Sequence, residues 1–345
     1  MRKRIIVIAA AVLVLTLLAV AYVQRGSIRS FLDQVTGKDY AGTGTCCVTV
    51  EVAPGDTGDV IANKLQAAGA IKSADLFYRL VLSKNPTFYP GKFRVNEAAS
   101  SLTVLAQITD VKNLVVTRVT IKEGLRLGNV LKVLSEATGI SLSEFEAAAS
   151  DLNALGIPTS SPSAEGYLFP ATYDFDPDLS ASQILKIMVD RMYQDLDSAG
   201  VAVADRHRVL TLASIIQKEA RQTQDFYKVS RVFTNRLKIG MRLQSDATVS
   251  YGSGGTTVST TNAERADKNG YNTYANPGLP IGPISAPGAL AIDAALHPVA
   301  GDWLYFCAIN LKTGETVFSV TIAEHEKAVA LWRAWMKENP GWNGN

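Results

Sequence analysis

The first pattern along the chain is a short basic tip followed by a long apolar run. Three basic residues at positions 2–4 precede 19 uncharged positions, residues 5–23, which are just enough to cross a bilayer as a helix. Because basic residues flank such a helix on its cytoplasmic side, we expect residues 1–24 to be a cytoplasmic tip and transmembrane anchor. The alternative is a cleaved signal peptide, since Ala-Val-Ala at 19–21 resembles a small-x-small cleavage site.

The region after this run alternates short strand patterns with helical ones. Residues 25–46 are polar and indicate a linker. Residues 47–115 contain an alternating strand, a Pro-Gly-Asp turn, two helical patterns and the strand GKFRV, an order that indicates a small compact module.

Longer amphipathic helices and polar loops characterise residues 116–340. The runs LASIIQKEA and DFYKVSRVFTNRLKIGM have helical periodicity, whereas LQSDATVSYG and YNTYANPGLPIGPISAPG are rich in turn-forming residues. DWLYFCAI, a turn and TVFSVTI indicate a hairpin before a closing helix. We therefore expect an α+β fold with a smaller and a larger part.

Composition and charge exclude several classes of function. With 47% hydrophobic residues and a net charge of +2, the 345-residue chain suits a folded protein without a basic nucleic-acid footprint, so nucleic acid is not expected as a partner. The three histidines lack the spacing of zinc ligands. Cys46, Cys47 and Cys307 allow one disulfide of any pairing. A Cys307/His325 amidase is conceivable, but the alternating pattern around Cys307 favours core packing.

Glu219 is the candidate for chemistry in the LASIIQKEA run. On a helix it projects from the flank of the apolar stripe formed by Ile215 and Ile216. A glutamate against apolar surface has a raised pKa and keeps its proton near neutrality, as a general acid requires. The alternative is a structural ion pair with Arg231 or Arg236 on the next helix.

The polar loops offer candidate ligand groups. They can line a groove for a hydroxyl-rich ligand, or they can merely cap turns. These residues are Gln244, Ser245, Asp246, Thr248, Tyr251, Asn272, Thr273 and Tyr274. The segment SAEGYLFPATYDFDP, residues 163–177, carries Glu165 and four aromatic residues that indicate either a sugar-stacking wall or core packing.

Five blocks in order resemble the YceG-like (MltG) family of endolytic murein transglycosylases. They are EGYLFPATY, LASIIQKEA, VFTNRLKIGMRLQSDATVSYG, YNTYANPGLPIGPISAPG and the hairpin with TGETVFSVTIAEH, and the resemblance covers about residues 48–335. It implies a LysM-like peptidoglycan-binding subdomain at 47–115 and a catalytic transglycosylase domain of mixed α/β type at 116–340. It also implies a single-pass protein of a bacterial inner membrane with its catalytic part in the periplasm.

The family's catalytic glutamate corresponds to Glu219, and Glu165 matches a second characteristic glutamate that is expected to support the site or bind substrate. Where family members often carry another glutamate, this chain has Gln217. The reaction implied is cleavage of the MurNAc–GlcNAc bond within glycan strands to leave 1,6-anhydro ends. The partners implied are the strands themselves and cell-wall synthases. No metal or organic cofactor is expected. The alternatives are a non-catalytic peptidoglycan-binding scaffold and a hydrolase that uses Glu165 or Asp246 to activate water.

Overall fold

A computed structural model describes residues 38–255, 260–340 and 342. The expected anchor at residues 1–24 lies outside the described residues. Within the described ranges, no helix combines the length and the apolar character needed to cross a membrane. The chain divides into two compact units, with the division between Val116 and Thr117.

The first unit is a two-stranded antiparallel sheet with helices packed against it. The expected order of strand, two helices and strand is confirmed: β1 (Thr45–Val52), α1 (Gly58–Ala67), α2 (Ala74–Lys84) and β2 (Gly91–Glu97) are followed by α3 (Ser101–Ile108). Val50 lies opposite Phe93 in the sheet, and both are buried in the core of this unit. Alternation along β1 thus turns Val50 and Val52 inward.

The cysteines pair locally. Cys46 and Cys47 form a disulfide between adjacent residues at the start of β1, and Cys307 is free. Cys307 is half-buried in a strand, and burial raises the pKa of its thiol, which disfavours a thiolate nucleophile. The ring of His325 stacks on Tyr305, with 5.2 Å between centroids. The amidase interpretation therefore gains no support.

The second unit mixes helices with two small antiparallel sheets. One sheet pairs β3 (Thr117–Thr120) with β4 (Thr172–Phe175), and the other is the expected hairpin of β5 (Tyr305–Asn310) and β6 (Glu315–Ser319). The helices are α4 (Leu127–Thr138), α5 (Leu142–Ser150), α6 (Leu152–Leu155), α7 (Ala181–Ser198), α8 (Arg206–Glu219), α9 (Thr223–Lys238), α10 (Asp246–Gly252), α11 (Asn262–Ala266), α12 (Ala289–Leu296) and α13 (Ile322–Glu338).

Helix α8 is the central element of this unit. Every residue from Val209 to Ile216 is buried, so the helix is covered on all sides rather than along one stripe. Helices α9, α10 and α12 pack against it, and Ser214 ties it to a loop because its hydroxyl accepts a hydrogen bond from Ile284 N at 3.0 Å. The expectation of a one-sided apolar stripe was wrong, because single-helix periodicity does not reveal how many neighbours a helix has.

The aromatic segment near Glu165 belongs mostly to the core. Tyr167, Phe169 and Phe175 are buried in the core of the second unit, whereas Tyr173 is half-buried. The Tyr167 hydroxyl and His207 Nδ1 are 2.9 Å apart and hydrogen-bonded. This burial supports core packing and not a sugar-stacking wall.

Candidate functional site

Glu219 is the last residue of α8, where the buried helix reaches the surface. The next residue, Ala220, is extended, so the chain turns away and leaves Glu219 half-buried. Its Oε1 accepts a hydrogen bond from the Ser245 hydroxyl. Burial, reinforced by the nearby negative charge of Asp246, raises the pKa of Glu219 above its ordinary value, although hydrogen bonds from Ser245 and the Ala247 backbone oppose this effect.

The two arginines proposed as structural partners of Glu219 bind elsewhere. Arg231 donates to the carbonyls of Pro298 and Val299. Arg236 is buried and donates to the carbonyls of residues 242, 243 and 304. It is close enough for the Glu219 charge to act on its pKa, which burial lowers. The alternative of a structural ion pair with Arg231 or Arg236 therefore gains no support, because these guanidinium groups bind backbone carbonyls and connect loops to α9.

A network of hydroxyl groups holds Ser245 against Glu219. Ser245 N donates to Thr273 Oγ1 at 3.0 Å, and Thr273 Oγ1 lies 2.8 Å from Thr248 Oγ1. Thr248 Oγ1 also donates to Ser245 O at 2.7 Å. Gln244 N donates to Thr273 O at 3.2 Å. These bonds join the two polar segments that the sequence predicts as loops, although residues 246–252 of the first segment form helix α10. The loop around Thr273 thereby fixes Ser245, the residue that contacts Glu219.

Asp246 follows Ser245 directly and lies in a second polar cluster. Arg265 Nη2 is 3.1 Å from its Oδ1, and the Thr260 hydroxyl donates to the same oxygen at 2.6 Å. Arg265 Nε donates to Thr260 Oγ1 at 2.8 Å, and its guanidinium lies 4.9 Å from the centroid of the Tyr274 ring. Burial, with the Asp246 charge, raises the pKa of Tyr274 to about 12. The phenol therefore stays a neutral hydroxyl near Glu219.

Glu165 is a second buried carboxyl group of the unit. It is only 2% exposed, and its two oxygens accept from Leu127 N at 3.0 and 2.9 Å, at the start of α4. A carboxylate is favoured at a helix N-terminus, yet burial raises the pKa of Glu165 to about 7, against hydrogen bonds from Leu127 and Tyr251. Gly166, the next residue, has φ +79°, and a Cβ there would lie 2.3 Å from the Pro283 side chain. Position 166 therefore requires glycine.

Lys218 is close enough to both glutamates for their charges to act on its pKa. Its Nζ donates to Gly124 O at 3.3 Å. Burial and the Arg126 charge lower the pKa of Lys218, while the charges of Glu219 and Glu165 raise it. The two carboxyl groups therefore share one charged neighbourhood. Gln217 contributes a different contact, because its Oε1 accepts from Gly288 N at 3.0 Å, at the start of α12.

The structure divides the sequence-predicted ligand residues into two groups. Thr248, Asn272 and Thr273 are at most 1% exposed and form hydrogen bonds within the protein. Gln244 is exposed and left-handed with φ +51°, whereas Asp246, Tyr251 and Tyr274 are half-buried at the surface. Ser245 is buried, and its hydroxyl donates a hydrogen bond to Glu219. Substrate binding by any of them stays a prediction.

Three cations of the site were missed by sequence reasoning. Arg126 lies 5.3 Å from the centroid of Tyr251 and donates to Ser250 Oγ at 3.2 Å, and Lys218 and Arg265 have the contacts given above. Arg126 and Arg265 come from segments distant in sequence from Glu219, whereas Lys218 directly precedes it, and no local pattern marks the role of any of the three. In residues 38–255 and 260–340, no three His, Cys, Asp or Glu side chains cluster as metal ligands.

Comparison with known proteins identifies the family of this chain. Residues 50–331 match the YceG-like family. The chain belongs to the YceG-like family. Its relatives include the endolytic murein transglycosylase of Bacillus subtilis, which is 32% identical over 305 residues and is aligned over 81% of this chain and 83% of its own length. This YceG-like chain is also 26% identical to the endolytic murein transglycosylase of Streptococcus pneumoniae over 319 residues, but spans only 58% of that longer protein.

A solved structure of a YceG-like protein from Listeria monocytogenes is similar as well. It is 32% identical and has a TM-score of 0.55, and the match covers 81% of this chain and 98% of that one. The mixed α/β fold of the YceG-like domain is thus shared with a solved structure.

Proposed function

We propose that this protein is an endolytic lytic transglycosylase that cleaves the MurNAc–GlcNAc bond within peptidoglycan strands and leaves 1,6-anhydro-MurNAc ends. The names of its relatives support the reaction class. The observation that carries the proposal is Glu219, a half-buried carboxyl group with a raised pKa at the end of a buried helix, where the Ser245 hydroxyl donates to it.

The first step uses the protonated form of Glu219. Its raised pKa increases the fraction of acid near neutrality, and the acid donates its proton to the glycosidic oxygen as an oxocarbenium-like centre develops at C1 of MurNAc. The bond from C1 to that oxygen breaks, and the GlcNAc side leaves as an alcohol.

The second step uses the carboxylate that remains. It removes the proton from the C6 hydroxyl of the same MurNAc, and O6 bonds to C1 to close the 1,6-anhydro ring. Hydrogen bonds from Ser245 and the Ala247 backbone favour the charged form of Glu219 between the two steps. Glu219 thus gives one proton and takes one back, and no water is consumed.

The arrangement of the other carboxyl groups disfavours a hydrolase. Ordinary glycosidases need a second carboxylate that is free to act as nucleophile or to activate water. Glu165 is buried with both oxygens on Leu127 N, and Asp246 is held by Arg265 and Thr260. A scaffold is disfavoured for another reason, because a desolvated glutamate lowers stability and gives a binding surface no advantage.

We extend the proposal to the remaining parts of the chain. The apolar run at residues 5–23 supports an N-terminal membrane anchor with a periplasmic catalytic part. The strand–helix–helix–strand order of the first unit supports a LysM-like subdomain that grips glycan. Such an anchored enzyme would act on nascent strands near cell-wall synthases and terminate their elongation.

The test is product analysis by mass spectrometry. The full chain in detergent is incubated with purified glycan strands, beside Glu219→Gln and the exposed control Glu146→Gln. We expect anhydro-ended fragments from the wild type and the control, and a loss of about 10²–10⁴-fold in Glu219→Gln. Reducing ends would identify a hydrolase, and intact strands from the wild type despite binding would identify a scaffold.

A further inference from the structure

Asp246 and Arg265 form a charged pair beside the proposed acid. Arg265 Nη2 lies 3.1 and 3.3 Å from the two Asp246 carboxylate oxygens. About a third of each side chain is exposed, 34% for Asp246 and 35% for Arg265. Both side chains are therefore partly exposed to solvent.

The chain places this pair next to Glu219 by a short route. Asp246 is the first residue of α10, and the residue before it, Ser245, hydrogen-bonds to Glu219. Thr260 binds both members of the pair, so the loop before α11 fixes their orientation. The pair is thus held at a set position relative to the carboxyl group that the proposed reaction uses.

Other charged or titratable groups also lie near Glu219, and they act on its pKa together with the Asp246–Arg265 pair. Lys218 lies on the same helix, Arg236 lies on α9, and Tyr274 is a neutral phenol near Asp246. Lys218 and Arg236 have hydrogen bonds to backbone carbonyls. Asp246 is the negative group among these neighbours, and its field favours the protonated form of Glu219.

We propose that Asp246, with its charge partly balanced by Arg265, sets the upper pH limit at which Glu219 can act as an acid. This role rests on the function proposed above. Asp246 is then a positioning residue that acts through Glu219, and Arg265 determines how much of its field reaches that carboxyl group. The ion pair is a means of tuning the acid and not a contact with the glycan.

A structural role and an electrostatic role give opposite expectations for the same pair. Asp246→Asn and Arg265→Gln each break the ion pair, so a purely structural role predicts similar losses from both. An electrostatic role predicts shifts of opposite sign. Removing the Asp246 charge lowers the pKa of Glu219, whereas removing the Arg265 charge leaves Asp246 unbalanced and raises it.

The experiment is a pH profile of kcat/KM for anhydro-product formation by the full chain in detergent. We expect the alkaline limb to move to lower pH in Asp246→Asn and to higher pH in Arg265→Gln, with a smaller shift in Arg265→Lys, which keeps the charge. Asp174→Asn is the matched control, because Asp174 forms an exposed pair with Arg118 on β3. Its limb should coincide with that of the wild type.

A direct titration keeps the test independent of activity. Carbon-13 NMR of carboxyl-labelled glutamate, assigned by comparison with Glu219→Gln, reports the protonation of Glu219 in each variant. Limbs or titration curves that stay in place, or that move in the same direction in both variants, would overturn the tuning role. Because that result is compatible with anhydro products that depend on Glu219, it is distinguishable from failure of the proposed reaction.

Discussion

The Ser245 hydroxyl donates a hydrogen bond to Glu219 Oε1 at the end of helix α8. Thr273 and Thr248 in turn hold Ser245. The donor stabilises the charged form of Glu219, in opposition to the burial that destabilises it. Burial prevails and the pKa of Glu219 is raised, while the Ser245 donor is in place to stabilise the carboxylate that remains after the proton is given.

Replacing Ser245 should disturb this balance in a defined direction. In Ser245→Ala the carboxylate loses a donor, so the pKa of Glu219 rises and the alkaline limb of kcat/KM moves to higher pH. The base step should slow as well, because the charged form is less stabilised. A pH profile of anhydro-product formation measures both effects, and a limb that moves to lower pH would contradict this account.

Glu165 should make stability depend on pH. Its pKa is about 7 in the folded protein against an ordinary value of 4.5, so the folded state binds the proton more tightly than the unfolded state. The resulting stabilisation is present below about pH 4.5 and is lost as pH rises to about 7, a change on the order of 3 kcal/mol.

Glu165→Gln should remove that component, because the amide does not titrate. Denaturant unfolding of both proteins between pH 4.5 and 7.5 gives the free energy of unfolding for the comparison. The difference between wild type and variant should change with pH in this interval. A difference that is constant across it would exclude a buried titrating Glu165.

Gln217 should accept replacement by glutamate. Its Oε1 accepts from Gly288 N at the start of α12, and a carboxylate at a helix N-terminus keeps that bond and gains about 0.3–1 kcal/mol. Gln217→Leu instead leaves the Gly288 N–H without its partner, at a cost of about 1–3 kcal/mol. Thermal unfolding should rank glutamate at or above the wild type and leucine below it, and equal values for both variants would contradict this role.

Asn272 should behave as a structural residue. Its Nδ2 donates to the carbonyls of Glu264, Arg265 and Asp267, and its Oδ1 accepts from the backbone of Tyr274 and Ala275. Asn272→Asp replaces the donor with a second acceptor facing three carbonyls, so it should destabilise more than Asn272→Ala, which itself should cost about 2–4 kcal/mol. Thermal unfolding tests this order, and unchanged stability with weaker glycan binding would instead indicate a ligand contact.

Local pattern was sufficient for several of the elements and for one residue of the site. Alternation predicted β1, β2 and the β5–β6 hairpin, and helical periodicity predicted α8 and α9. Glu219 was singled out because a carboxylate stood within an apolar run, and that observation depends only on neighbours along the chain. The order of the five blocks then indicated the YceG-like family.

Tertiary structure alone decided which groups meet. Periodicity suggested an ion pair of Glu219 with Arg231 or Arg236, but those arginines bind carbonyls of remote loops. The charged neighbours of the site, Lys218, Arg265 and Arg126, acquire their contacts from segments that a local pattern cannot relate. Helix periodicity and a carboxyl group among apolar neighbours are local properties, so the sequence alone predicts them. Hydrogen-bond partners and charged neighbours depend on how distant segments pack, so only the tertiary structure decides them.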